Sequence, residues 1–293
     1  MVPSSVELLI QQKLSTHSGS PAHQLVFQSI GGGSINESFR ISWGTNGAFC
    51  KINSAHKFPQ LFEKEAAGLR LLEATGVIGV PAVIDQFETG DRQVLLLEWI
   101  GEGSRTPSFW KKFGEQLSRL HCIKGKAFGL EMHNYMGSVE QCNEFRSNWI
   151  EFFREQRLRP LVEKCAAQHL LSAAHQKKFD SVYQVLPRVF DAAQEPVLVH
   201  GDLWSGNFMC DDAASPVLID PAVYYGHPSV DLGMTTLFGG FSSAFYEAYH
   251  YHRPFPPDYK DQWKVCNLYP LLIHLLLFGR SYLSQIDHTL HSF

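Results

Sequence analysis

Hydrophobic and polar positions alternate along much of the first hundred residues. Residues 24–30 alternate around Leu25, Phe27 and Ile30, the period of a half-buried strand. Gly31-Gly32-Gly33 interrupts the pattern, and it resumes over 38–43 with Phe39, Ile41 and Trp43. Asn46-Gly47 reads as a hairpin turn, because a type I′ loop needs positive φ at both central residues, and 48–52 reads as the return strand. Between Pro59 and Thr75 the period changes: Leu61, Glu65, Leu69 and Leu72 share one helical face, and Gly76 is a stop. Residues 80–87 and 93–100 are two more strands, turned at Thr89-Gly90-Asp91.

Helical spacing dominates the remainder. Phe109, Phe113, Leu117 and Leu120 form a stripe that Thr106 or Ser108 can cap. Residues 124–146, rich in Gly, Asn and single charges, read as a long loop, and 149–165 and 170–190 as helices. A short apolar strand at 197–199 precedes a hairpin of 208–210 with 217–219, and the last 50 residues alternate helical stripes with Pro-rich turns. The pattern shifts at Gly101-Glu102-Gly103. It predicts a sheet-plus-one-helix lobe over 1–100 and a larger, mainly helical lobe over 101–293, an α+β chain of two lobes.

Composition narrows the field. Hydrophobic residues make up 44% of 293, enough for folded cores, and a net charge of −4 disfavours a nucleic-acid partner. The apolar run at 268–278 is interrupted by Pro270 and His274 and is too short to span a membrane. The first twelve residues carry Glu7 and no Lys or Arg, so no signal peptide is expected. Six scattered cysteines without a CxxC pair suit reduced thiols and a cytoplasmic location.

The chemistry concentrates in His200-Gly201-Asp202-Leu203-Trp204-Ser205-Gly206-Asn207 and in Asp220. Asp202 and Asn207 stand five residues apart, the Asp-x4-Asn interval of a kinase catalytic loop, and the following hairpin returns Asp220 toward Asn207. Asn207 and Asp220 offer hard oxygen ligands for Mg²⁺, which leaves Asp202 to accept a proton from a substrate hydroxyl. Phosphoryl transfer also calls for a cation on the phosphates. Lys51 is that cation, and Glu65, a carboxylate in an apolar stripe, needs Lys51 as partner. Gly31, Gly32, Gly33 and Ser34 can bring backbone N–H groups to ATP phosphates, or form an ordinary tight turn. Leu97, Glu98, Trp99 and Ile100 run into the hinge, where the backbone can read an adenine edge while serving as a core strand. Trp204 either stacks on substrate or plugs the core, and His200 reads as a brace through its ring nitrogens.

HGDLWSGN, IDPAVYYGH and DLGMTTLFGGF together resemble the fructosamine kinase (ketosamine 3-kinase) family, a branch of the protein-kinase-like fold near the aminoglycoside and choline kinases. The similarity covers nearly all of residues 20–290 and includes FGLEMHNYMGSVEQCN, NWIEFFREQRL and NLYPLLIHLLLFGRSYLSQI. The resemblance implies a bilobal kinase-like fold with ATP and Mg²⁺, Asp202 as base, Asn207 and Asp220 on the metal, and Lys51 paired with Glu65. It also implies transfer to the 3-hydroxyl of a ketoamine, a small molecule or a glycated protein side chain. Elimination of the 3-phosphate would then free the amine. It points to Trp204, Asn134 and Asn143 as substrate contacts and to Asp231 as a brace of the catalytic loop. Ser229 stands where many relatives carry an acidic residue, which touches local loop contacts only.

Two rival readings remain. One is a phosphotransferase acting on an aminoglycoside, choline or another amino-alcohol. The 124–146 segment holds only Glu131, Glu140 and Glu144 as acids, which disfavours a polycationic acceptor. The other is a non-catalytic pseudokinase serving as a binding module, which sits poorly with competent residues at every catalytic position.

Overall fold

The computed structural model describes residues 2–31 and 36–293. The chain divides into two compact units, Met1–Ser104 with Met209–Ile219, and Arg105–Phe208 with Asp220–Phe293.

The first unit holds helix α1 (Ser4–Ser18), strands β1 (Val26–Ser29), β2 (Glu37–Trp43) and β3 (Asn46–Ser54), helix α2 (Leu61–Glu73), and strands β4 (Val83–Thr89) and β5 (Arg92–Glu98). The strands form one sheet in the order β1-β2-β3-β5-β4, every neighbour antiparallel. Two features depart from the sequence pattern. The loop between β2 and β3 is Gly44-Thr45, because Trp43 pairs with Asn46 and Ser42 with Gly47. Gly44 takes φ +55, the requirement of a II′ loop at its first central position, so Asn46-Gly47 is left inside the strand. The second departure is α1, a helix beside the single one expected. Val6, Ile10 and Leu14 recur every four residues and pack with Ile41, Cys50, Ile52, Val94 and Leu96. Alternation along β3 sends Cys50 and Ile52 to that face and Lys51 to the other.

The second unit contains α3 (Pro107–Leu120), β6 (Asn134–Met136), β7 (Val139–Gln141), α4 (Trp149–Phe152), a π-helical turn (Phe153–Leu158), α5 (Arg159–Ala167), α6 (Ala173–Val189) and β8 (Val197–Val199). Strands β9 (Phe208–Cys210) and β10 (Pro216–Leu218) pair with each other, and β11 (Tyr224–Gly226) pairs antiparallel with β8. Helices α7 (Ser229–Leu237), α8 (Ser243–His252), α9 (Tyr259–Phe278) and α10 (Leu283–Leu290) complete the unit. Thr106 caps α3 by accepting from the Phe109 N–H. The segment expected to be a long loop contains the β6–β7 hairpin, turned at Gly137-Ser138. One apolar core joins Phe128, Trp149, Phe152, Tyr224 and the buried face of α9. Met209–Ile219 leaves this unit and ties to the first: the Gly103 N–H donates to the Cys210 carbonyl (2.8 Å) and the Leu218 N–H to the Gly79 carbonyl (2.8 Å). Among the described residues no helix is long and apolar enough to cross a membrane.

Candidate active site

In the second unit the loop after β8 is fixed by its own backbone. The Ala222 N–H donates to the His200 carbonyl (2.9 Å). Gly201 takes φ +85 and presses so close to the Ala222 carbonyl that a Cβ would collide with it, which fixes glycine there. The Trp204 N–H donates to the Asp202 carbonyl (3.1 Å) and the Asn207 N–H to the Trp204 carbonyl (3.0 Å), so residues 202–207 form a tight arch.

Inside that arch the Asn207 amide Nδ2 donates to the Asp202 carbonyl (2.8 Å) and to Asp202 Oδ2 (2.9 Å). Those bonds identify the amide nitrogen and leave Oδ1 for a cation. Asp220, exposed and at φ +55, stands close enough for its charge to act on Asp202. Burial first, and then the Asp220 charge, push the Asp202 carboxyl up to about 7, against the lowering effect of the Asn207 hydrogen bond. Two neighbouring carboxylates and an amide oxygen are a hard donor set of the kind Mg²⁺ takes, and a divalent cation there would relieve their repulsion.

Asp231, on α7 and fully buried, receives the His200 N–H at Oδ2 (2.8 Å) and the Gly201 N–H at Oδ1 (2.8 Å). His121, at the end of α3, lies 3.1 Å from Asp231 Oδ2 through Nε2 and 2.8 Å from the Tyr249 hydroxyl through Nδ1. Burial holds the His121 ring neutral despite Asp231, so Nε2–H donates to the carboxylate and Nδ1 accepts from Tyr249. Burial alone would raise Asp231. The hydrogen bonds it accepts from His121 and from the backbone N–H groups of the catalytic loop instead hold it below the usual carboxylate range. His200 is fully buried, and its Nδ1 accepts the Asp202 N–H at 3.3 Å. Ser229 Oγ donates to Gln262 Oε1 (2.9 Å).

Trp204 is half-buried, its indole lying against Gly206 and edge-on to Phe238. Asn134 and Asn143 are placed otherwise than as substrate contacts. Both are buried, and their amides are spent inside the protein. Asn134 Nδ2 donates to the Val223 carbonyl (2.9 Å), and its Oδ1 accepts from Gln141 Nε2 and Asn143 Nδ2, each at 2.8 Å. Asn143 Nδ2 also donates to the Met132 carbonyl, and its Oδ1 accepts from Arg157 Nη2 (2.6 Å). Arg157, wholly buried in the π-helical turn, lies over the rings of Tyr224 (4.1 Å) and Phe152 (4.5 Å) and donates to the Cys142 carbonyl. The sequence reading did not single out Arg157, Gln141, His121 or Tyr249. The one available signal was an arginine inside the aromatic run FFREQRL.

The first unit carries the remaining expected residues. Lys51 Nζ lies 2.7 Å from Glu65 Oε1, with both side chains largely buried. Leu97 is buried in β5. Glu98 ends that strand: its N–H donates to the Ala82 carbonyl (2.9 Å) and its Oε2 accepts the Ala82 N–H (3.2 Å), and the Arg40 guanidinium covers Trp99 at 4.4 Å. Ile100 follows, half-buried, and Gly31 is exposed. Gly32, Gly33 and Ser34 lie outside the described residues.

Residues 7–293 match the fructosamine kinase family. The chain belongs to that family. It is 37% identical over 286 residues to a probable ketoamine kinase of Synechocystis, covering 96% of this chain and 94% of the relative. It is 35% identical to the chloroplastic protein-ribulosamine 3-kinase of Arabidopsis thaliana, over 88% of this chain and 79% of the relative. Among solved structures, a Haemophilus somnus protein assigned as a fructosamine-3-kinase superposes with a TM-score of 0.87 at 26% identity, covering 97% and 96% of the two chains. An aminoglycoside phosphotransferase bound to AMP-PNP and hygromycin B superposes with a TM-score of 0.67 at 13% identity, covering 97% of this chain and 98% of that one, a likeness of fold alone. The fold is therefore protein-kinase-like, and as a fructosamine kinase family member the protein is a phosphotransferase acting on an alcohol group.

Proposed function

We propose that this chain is an ATP-dependent ketosamine 3-kinase that phosphorylates the 3-hydroxyl of a sugar joined to an amine, free or on a glycated protein side chain. The observation that carries the reading is the double hydrogen bond from Asn207 to Asp202 with Asp220 beside it, in a chain of this family. In this reading Asp202 accepts the acceptor hydroxyl proton as the oxygen bonds to the γ-phosphorus of ATP and the bond to the ADP oxygen breaks. Asn207 keeps the Asp202 carboxylate aimed. With Asp220 it would hold Mg²⁺, which supplies charge neutralisation on the phosphates when bound.

The first unit takes the nucleotide. Lys51, steadied by Glu65, holds phosphate oxygens; Gly31 to Ser34 offer backbone N–H groups; and Leu97 to Ile100 edge the base. Asp231 and His200 brace the catalytic loop. Trp204 packs on the sugar, while Asn134 and Asn143 scaffold the acceptor region together with Arg157. Loss of a C1 proton gives an enaminol across C1–C2 that expels the phosphate from C3, and water hydrolyses the resulting C1 imine; this frees the amine and makes the reaction a repair of glycation. The scattered, mostly buried cysteines favour a reducing compartment, and we place the protein in the cytoplasm.

The test is ATP consumption against fructoselysine, ribuloselysine, an aminoglycoside and choline. The reading requires one of the two ketoamines to give the highest kcat/KM. An enzyme that prefers the aminoglycoside or choline overturns it.

A further inference from the structure

Segment 238–241 runs along the catalytic loop. Phe238 meets Trp204 edge-on, with ring centroids 5.9 Å apart. A Cβ on Gly240 would stand 2.6 Å from Ser205 Cβ, and Phe241 packs on Phe208 at 5.0 Å. From Phe238 the aromatic surface continues onto the C-terminal end of α9. His274 lies 5.1 Å from Phe238, Phe278 lies 5.5 Å from His274, and Tyr282 lies 4.9 Å from His274. The row stays in reach of solvent: Phe238 is 36% and Phe278 48% exposed, and Trp204, His274 and Tyr282 are half-buried. His274 is pinned by a 2.7 Å contact from Nδ1 to the Pro270 carbonyl, which fixes the orientation of its ring.

Rings left half-open in a row keep apolar area in water, and such area gains free energy when covered. One end of this row says what covers it. Trp204 stands two residues from Asp202 and shares its arch, so the row begins on the loop that carries the proposed base. A ketoamine has a sugar at one end and an amine-bearing chain at the other. An extended lysine side chain spans roughly 6 Å from Cα to Nζ at ordinary bond lengths. Ring contacts pass from Trp204 to Phe238 to His274, and Phe278 and Tyr282 both adjoin His274 and each other. The residues flanking a glycated lysine are the part of the acceptor available to cover the rings farthest from Trp204.

We propose that Trp204, Phe238, His274, Phe278 and Tyr282 form an aromatic track that receives the carrier of the ketoamine and selects glycated lysines flanked by apolar or aromatic residues. The proposal rests on the ketosamine kinase reading and adds the carrier specificity. None of these five side chains bears a carboxylate or a fixed cation, so the track itself favours apolar flanks. Aromatic contacts of this kind correspond to about two- to tenfold in affinity each.

The experiment compares kcat/KM for two capped peptides carrying fructosyl-lysine, one phenylalanine-flanked and one serine-flanked, with free fructoselysine as a third acceptor. The full-length enzyme should favour the phenylalanine-flanked peptide about three- to tenfold over the serine-flanked one, chiefly through KM. Phe238→Ala and Phe278→Ala should each bring that ratio toward one. Tyr251→Ala, at a ring on α8 outside the track and 82% exposed, should keep the wild-type ratio. A wild-type ratio near one, or a preference that survives both track variants, overturns the track while the kinase reading stands. Absence of turnover on every ketoamine overturns both. Variants that keep the ratio but convert a dimer to a monomer in sedimentation would make the row an interface between copies and overturn the proposal.

Discussion

Asn207 gives both of its amide hydrogen bonds to one residue, Asp202: one to the carbonyl at 2.8 Å and one to the carboxylate at 2.9 Å. The first closes the arch and the second aims the carboxylate, so loop shape and side-chain direction are set by the same group. If that carboxylate is the base, Asp202→Asn should lower kcat about 10²–10⁴-fold while nucleotide affinity stays close to wild type. Steady-state kinetics with a separate nucleotide-binding titration measures both. A variant retaining a tenth of wild-type kcat or more would exclude Asp202 as the base.

Asn207 and Asp220 should differ as metal ligands. A carboxylate brings formal charge and an amide only a dipole, so Asp220→Ala should raise the Mg²⁺ concentration for half-maximal activity more than Asn207→Ala does. Asn207→Ala should also lower kcat at saturating Mg²⁺, because the Asp202 carboxylate loses its guide. An unchanged Mg²⁺ dependence in Asp220→Ala would remove that residue from the metal site.

Lys51 and Glu65 form a largely buried pair at 2.7 Å. Lys51→Met should cost about 10²–10³-fold in kcat/KM, the scale for removing one group that stabilises developing charge. Glu65→Gln should cost less, and the double variant little more than Lys51→Met, because the groups act as a unit. Strictly additive losses would show that Glu65 does not act through Lys51.

Acid should destabilise the second unit through buried histidines. Burial pushes His227 down to about 3, and burial also lowers His121. Between the unfolded value near 6.5 and the folded value, the unfolded chain binds more protons, so stability is fully present above about pH 6.5 and is lost as pH falls. The loss approaches about 1.4 kcal/mol per pH unit for each such group well inside the window. Asp231, held below its ordinary value, adds a loss in the same direction only at lower pH. Urea unfolding at pH 7.5, 6 and 5 measures the slope, and His227→Gln should make it shallower. Asp202, raised to about 7, binds a proton in the folded state over the same range and offsets part of the loss, so the decisive reading is the difference between wild type and His227→Gln, and an unchanged slope in that variant would refute the assignment.

The sequence by itself determined the strands of the first sheet, the helical stripes and the cluster Asp202, Asn207 and Asp220. Each is written locally, in a period of two, a period near four, or a fixed interval around a hairpin. The Lys51–Glu65 pair was legible for the same reason, since a carboxylate within an apolar stripe demands a cation. Tertiary structure decided what depends on partners distant in the chain. The turn at Gly44-Thr45 prevailed over Asn46-Gly47 because the pairing that seats Ile41, Cys50 and Ile52 against α1 and β5 sets the register. Asn134 and Asn143 look like exposed turn residues one at a time. Their burial follows from Arg157, fourteen residues beyond Asn143, whose guanidinium needs acceptors once it is enclosed by Phe152, Tyr224 and Tyr269. Met209–Ile219 carries no local mark of belonging with the first unit, because that membership rests on backbone hydrogen bonds to Gly79 and Gly103, more than a hundred residues earlier. Backbone groups are alike at every position, so a long-range pairing between them leaves no pattern of side chains for a sequence to display.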